Sequence, residues 1–112
     1  MIIEVFICKY LNEHSGLPAF GEIPKQAPDS FFVVEKLGSG KEDQINSATI
    51  AVQSYAPSKL AAAVLNEHIK ELMEHLPEEQ EISSCKLNSD YDHTDTTSKR
   101  YRYQAVFDIT YF

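Results

Sequence analysis

Tyr101-Arg102-Tyr103-Gln104-Ala105-Val106-Phe107-Asp108-Ile109-Thr110-Tyr111 sets an apolar or aromatic residue at every odd position, and Arg102, Gln104, Asp108 and Thr110 at even ones. Successive side chains of a strand point to opposite faces, so this period of two predicts a strand with one face for a core. Such a face needs a covering layer. Working backwards, the chain supplies one between Pro57 and Leu76. Ala61, Leu65, Ile69, Leu72, Met73 and Leu76 recur at helical spacing, with Lys59, Asn66, Glu67, Lys70, Glu71 and Glu74 expected on the wet side. Pro57 suits the first turn of this helix, and Pro77 stops it. The alanines at 61, 62 and 63 allow close approach to a neighbour.

The same reading extends outward. Ile3, Phe6, Ile7, Tyr10 and Leu11 form a helical stripe over residues 2–14, with Glu4, Lys9, Asn12 and Glu13 outside; the β-branched isoleucines leave a strand as the alternative. Ser15-Gly16 ends that element, with Gly16 suited to a positive φ. A short extended piece, residues 17–21, precedes a proline-punctuated stretch at 23–28. Residues 30–37 read as a strand with Phe31 and Val33 on one face and Phe32 and Val34 on the other. Apolar residues on both faces indicate a place inside the sheet or beneath a partner. Residues 38–44 read as a polar hairpin loop, and 45–55 as a strand that turns Ala48, Ile50 and Val52 inward. Residues 81–89 form the least regular strand, and 90–98 an exposed loop rich in Asp and Thr. The expectation is one α+β domain over residues 1–112, in the order α-β-β-β-α-β-β. Its single mixed or mostly antiparallel sheet of four to five strands carries both helices on one face.

Composition excludes several classes. A 43% apolar content is too high for a disordered segment. No apolar run approaches the roughly 20 residues that span a bilayer. Glu4 and Lys9 interrupt the hydrophobic N-terminus, which lacks a basic leader or a small-residue cleavage site, so a cytoplasmic chain without membrane partners is expected. The net charge of −7 argues against nucleic acid as a specific partner. Lys99, Arg100 and Arg102 make one basic spot, read as a solvated strand start in preference to a phosphate contact. Cys8 and Cys85 lie in apolar company and read as reduced core residues.

Chemical motifs are incomplete. Gly38-Ser39-Gly40-Lys41 resembles a fragment of a phosphate loop, but Glu35 and Glu42 occupy the positions of the first Gly and the Ser or Thr. His68, Glu71 and His75 share a helix face without an identifiable fourth ligand. Asp90, Asp92, Asp95 and His93 lack the Gly and closing Glu of a calcium loop. No Ser lies in a nucleophile elbow, and Cys8 sits on an apolar face. The expectation is therefore a protein without cofactor or metal, and not an enzyme.

Four stretches together carry a resemblance: Pro18-Ala19-Phe20-Gly21-Glu22-Ile23-Pro24 after a first helix, Phe31-Phe32-Val33-Val34-Glu35-Lys36 before a Gly-rich turn, Ile50-Ala51-Val52-Gln53-Ser54-Tyr55-Ala56-Pro57-Ser58 leading into an alanine-rich helix, and the closing strand 101–109. In this order they resemble the small tail-terminator or tail-completion proteins of long-tailed bacteriophages and prophages. Such proteins commonly have a Tyr or Phe-Gly-Glu-Ile or Val-Pro turn and an Ala-Pro-Ser step from strand to helix. The resemblance implies a compact α+β subunit of a homo-oligomeric ring, often a hexamer. The ring caps the tail tube, stops its growth and meets the head–tail connector, so the partners are the chain itself, tube and connector proteins. It also implies synthesis in the cytoplasm of a bacterial host and then a place in the virion. No catalytic residues carry over.

By this analogy the polar loops supply contacts, with Lys41, Glu42, Asp43, Asp90, Tyr91, Asp92, Lys99, Arg100 and Arg102 as candidates. The strand ending at Phe112 is expected to offer an edge for pairing across subunits. An acidic subunit would let DNA slide through such a ring. The alternative function is a small-molecule-binding or regulatory module, its pocket set between helices and sheet and lined by the tyrosines of the last strand.

Overall fold

The computed structural model describes residues 1–95, 97 and 100–112. Its elements are α1 (Ile3–His14), β1 (Ala19–Phe20), β2 (Phe31–Glu42), β3 (Ile45–Ala56), α2 (Lys59–Glu74), a 3₁₀ turn at Leu76–Glu78, β4 (Ile82–Asp92) and β5 (Tyr101–Tyr111). The five strands form one mixed sheet in the order β1-β2-β3-β5-β4, parallel only between β1 and β2. This is the α+β class and the order of elements that the periodicities predict.

Both helices pack on one face. Ile3, Ile7 and Leu11 of α1 and Ile69 and Met73 of α2 meet Phe32, Val34, Ile50, Val52, Phe107 and Ile109 of the sheet in one core. These side chains are 5% exposed or less, so the space between the layers is filled. Fully burying each aliphatic or Phe side chain contributes about 1.5–3 kcal/mol, which makes this layer the main source of stability. Gly16, at φ 79°, occupies the left-handed region that lets the chain leave α1. Asn12 then ties that helix to the sheet: its Nδ2 donates to the Ala19 carbonyl at 3.1 Å, and its Oδ1 accepts from the Ala19 N–H at 3.1 Å.

The N-cap of α2 is Ser58, whose Oγ accepts from the Ala61 N–H at 3.1 Å. The buried stripe of α2 is Ala62, Asn66, Ile69 and Met73, rotated from the expected one, with Ala61, Leu65 and Leu72 half-buried. Asn66 is buried, not on the wet side, because β4 brings a partner to it. Its Nδ2 donates to Asp90 Oδ2 at 2.9 Å, and Lys70 Nζ reaches the same oxygen at 3.0 Å.

Three further expectations are corrected. Residues 38–42 are strand and not loop, because the two-residue turn that reverses the chain is Asp43-Gln44. Positive φ values of 51° and 68° at these residues fit the primed turn that matches strand twist, achieved here without glycine. Residues 90–92 likewise belong to β4. Finally, β5 is an inner strand between β3 and β4, so the strand preceding Phe112 offers no edge. The edges are β4 on one side and, on the other, β1 with the part of β2 beyond it.

Candidate assembly surface

Among the described residues, no helix packs on the second face of the sheet. Its residues follow from the register, in rows that cross β2, β3, β5 and β4. One row is Gly40, Ser47, Thr110 and Ser84; the next is Gly38, Thr49, Asp108 and Lys86. Small side chains here leave a shallow concavity of about 480 Å³ lined by both rows. Within it Asp108 accepts from Thr49 Oγ1 at 3.2 Å and from Asn88 Nδ2 at 3.0 Å.

Further along the strands the face becomes a network of polar side chains. Gln53 Nε2 donates to Gln104 Oε1 at 2.9 Å, and Gln104 Nε2 donates to the Tyr91 hydroxyl at 2.6 Å. Arg102 Nε donates to the His93 carbonyl at 2.6 Å, and its Nη1 to the Tyr55 hydroxyl at 2.8 Å. Tyr55 stacks on Phe31, with centroids 4.7 Å apart and planes 3° from parallel. Phe20 and Ala27 complete this end, so the proline-bearing segment after β1 covers the Phe31 end of the face and leaves the rest open.

The glycines of β2 are informative. Neither Gly38 nor Gly40 has a positive φ. A Cβ at Gly38 would meet no atom within 4 Å, and one at Gly40 would meet only Ser47 Oγ at 3.3 Å. Backbone conformation therefore does not call for glycine at either position, and crowding within the chain does not call for it at Gly38. Glycine inside a strand costs about 0.5–1 kcal/mol relative to alanine and often marks the close approach of another body.

The candidate contact residues separate into two groups. Lys41, Glu42 and Asp43 lie at the β2–β3 turn, exposed. Asp90 and Asp92 face α2, Tyr91 faces the uncovered side, and Arg102 lies on that side over Tyr55. The ladder rows of Lys41 and Asp92 meet β5 at Tyr111 and Tyr103, so the groups are offset by about 26 Å along the strands at roughly 3.3 Å per residue. They do not form one site. Arg100 forms an isolated antiparallel backbone bridge with Asp95 beyond β4, and Lys99 lies outside the described residues. Arg102 is committed to Tyr55 and His93 and is not a solvated strand start.

Asp92 has its carboxyl held below the usual range by the Thr94 hydroxyl and backbone N–H, with Lys59 at 3.2 Å adding to this. Burial, then the Asp108 charge, pushes the Cys85 thiol up to about 12, and burial followed by the Glu4 charge raises that of Cys8. Both cysteines are free and packed against the core. His75 Nδ1 lies 2.8 Å from Glu78 Oε2. Among the described residues no group of three or more His, Cys, Asp or Glu could hold a metal ion, and no helix is long and apolar enough to cross a membrane.

Sequence reasoning missed Gln53, Gln104 and Tyr55, the residues that order the uncovered face. An alternating strand pattern marks which residues lie opposite the core, but only strand order shows that they meet. No protein-family model matches the chain, and no curated protein matches it in sequence.

Proposed function

We propose that this chain is a structural assembly subunit of a phage or prophage tail, a terminator or completion protein that closes into a homo-oligomeric ring on the tail tube and meets the head–tail connector. The tail assignment draws on the resemblance carried by residues 18–24, 31–36, 50–58 and 101–109. The structural observation in its favour is the uncovered sheet face flanked by two unpaired edges, a surface suited to neighbours and not to a buried substrate. Ile2 and Val5 at the start of α1 and Leu60 and Val64 on α2 add apolar side chains that are 59–76% exposed. The chain would be made in the cytoplasm of a bacterial host and end in the virion, where its net charge of −7 keeps a conduit for DNA from binding it.

The small-molecule alternative needs a cavity between helices and sheet. Ile7, Leu11, Phe32, Ile50, Ile69 and Phe107 fill that space at 0–1% exposure, which favours the assembly reading. Negative-stain imaging of the concentrated protein, alone and mixed with purified phage tail tubes, tests the proposal. Rings of uniform diameter, or caps at tube ends, are expected. Single particles in both samples with bare tube ends would overturn it.

A further inference from the structure

Both edges of the sheet are unpaired over long stretches. Strand β1 pairs with β2 only at Phe32 and Val33, so the outer side of β2 is free from Glu35 to Glu42. Among the described residues β4 pairs only with β5, so its outer side has no strand partner. Strand β2 is antiparallel to β3, β3 to β5 and β5 to β4, so the two edge strands run in opposite directions. A rotation about an axis along the strands would therefore set β4 of one copy antiparallel to β2 of the next.

The charges on the two edges favour this pairing, most clearly on the uncovered side. On the helix-bearing side, β2 presents the bases Lys36 and Lys41, whereas β4 presents the acids Asp90 and Asp92, which Lys70 at 3.0 Å and Lys59 at 3.2 Å already meet from α2. On the uncovered side the signs reverse: β2 presents Glu35 and Glu42, and β4 presents Lys86. A β2–β2 or β4–β4 junction with matching faces brings like charges together, which is destabilising for cross-strand neighbours. A β2–β4 junction brings opposite charges together on both faces. Among the described residues, Lys36, Lys41, Glu42 and Lys86 have no ion-pair partner within their own chain.

We infer that the subunits join head to tail by antiparallel pairing of the β2 edge, Glu35 to Glu42, with the β4 edge of a second copy of this chain. The register that sets Lys36 opposite Asp90 of the next copy also sets Gly40 opposite Lys86 and leaves Lys86 diagonal to Glu42. The register shifts between Lys36 and Gly38 and between Leu87 and Ser89 keep the faces in step. Gly38 and Gly40 have a role in this junction: without side chains on the uncovered face, they leave room for the stem of Lys86 from the neighbour. The pairing deepens the assembly proposal, on which it rests for the closed ring. It uses both free edges of every subunit, as closure requires.

Sedimentation velocity across a concentration series on the wild type, Glu42→Lys, Lys86→Glu and the double variant tests the junction. Both residues are exposed, so the fold is expected to hold in each, and circular dichroism checks it. Each single reversal is expected to weaken self-association about tenfold, and the double variant to recover it to within about threefold. Self-association indifferent to both reversals would overturn this junction while leaving the assembly proposal standing. A wild type that stays a single chain up to millimolar concentration would overturn this junction, and bare ends on added tail tubes would overturn the assembly proposal as well.

Discussion

Gln53 on β3 and Gln104 on β5 face each other across the uncovered side of the sheet, 2.9 Å apart from amide nitrogen to amide oxygen, and both are buried. A buried amide that loses its partner costs about 1–3 kcal/mol, so Gln104→Ala is expected to destabilise the chain by that amount in urea. Gln53→Leu with Gln104→Leu removes both partners, and the double variant is expected to lose less than the sum of the single changes. Strict additivity would show that the two amides do not act together.

Gly38 has an ordinary φ and empty space where a Cβ would stand. Gly38→Ala is therefore expected to stabilise the single chain by about 0.4–1 kcal/mol through the unfolded state. The same change is expected to weaken self-association, because it puts a side chain where the neighbour approaches. Thermal melts in dilute solution and mass in concentrated solution separate the two effects. Destabilisation of the single chain would show that the glycine serves its own fold.

Asn12 replaces a strand partner for Ala19, accepting from its N–H and donating to its carbonyl. Asn12→Ala leaves both backbone groups without that side chain, and a loss of about 1–3 kcal/mol is expected. Faster exchange of the Ala19 amide proton should accompany it. A change within the roughly 0.5 kcal/mol typical of surface substitutions would contradict this role.

The raised thiols predict both reactivity and pH dependence. With Cys85 at about 12 and Cys8 also raised, the native protein should react slowly with a thiol reagent at pH 8, and the unfolded protein quickly. The sign follows from linkage. Above the ordinary thiol value of 9.0 the unfolded chain loses protons that the native chain retains, so stability is full below pH 9 and falls between pH 9 and about 12. Replacing Cys85 by Ala should flatten that fall.

Much of the fold was legible because its cues are local. The alternation in residues 101–111 and the stripe through Ile69 and Met73 report which side of each element is wet, whatever its neighbours. The extent of β2 was not legible. Gly38-Ser39-Gly40 has the composition of a turn, and only pairing with Ala48 and its neighbours makes it a strand. The burial of Asn66 depends on Asp90, distant in sequence, and the basic look of Arg102 conceals its commitment to Tyr55. The candidate surface was half visible. Phe31 and Val33 announced a second apolar face beside Phe32 and Val34, but strand order decided that β5 lies inside and that β2 and β4 are the edges.

Self-association is the central claim, and molar mass by light scattering after size exclusion, across a concentration series, tests it most directly. The account predicts a mass that rises with concentration toward a fixed multiple of the chain, the plateau of a closed ring. A mass of one chain at every concentration would contradict it.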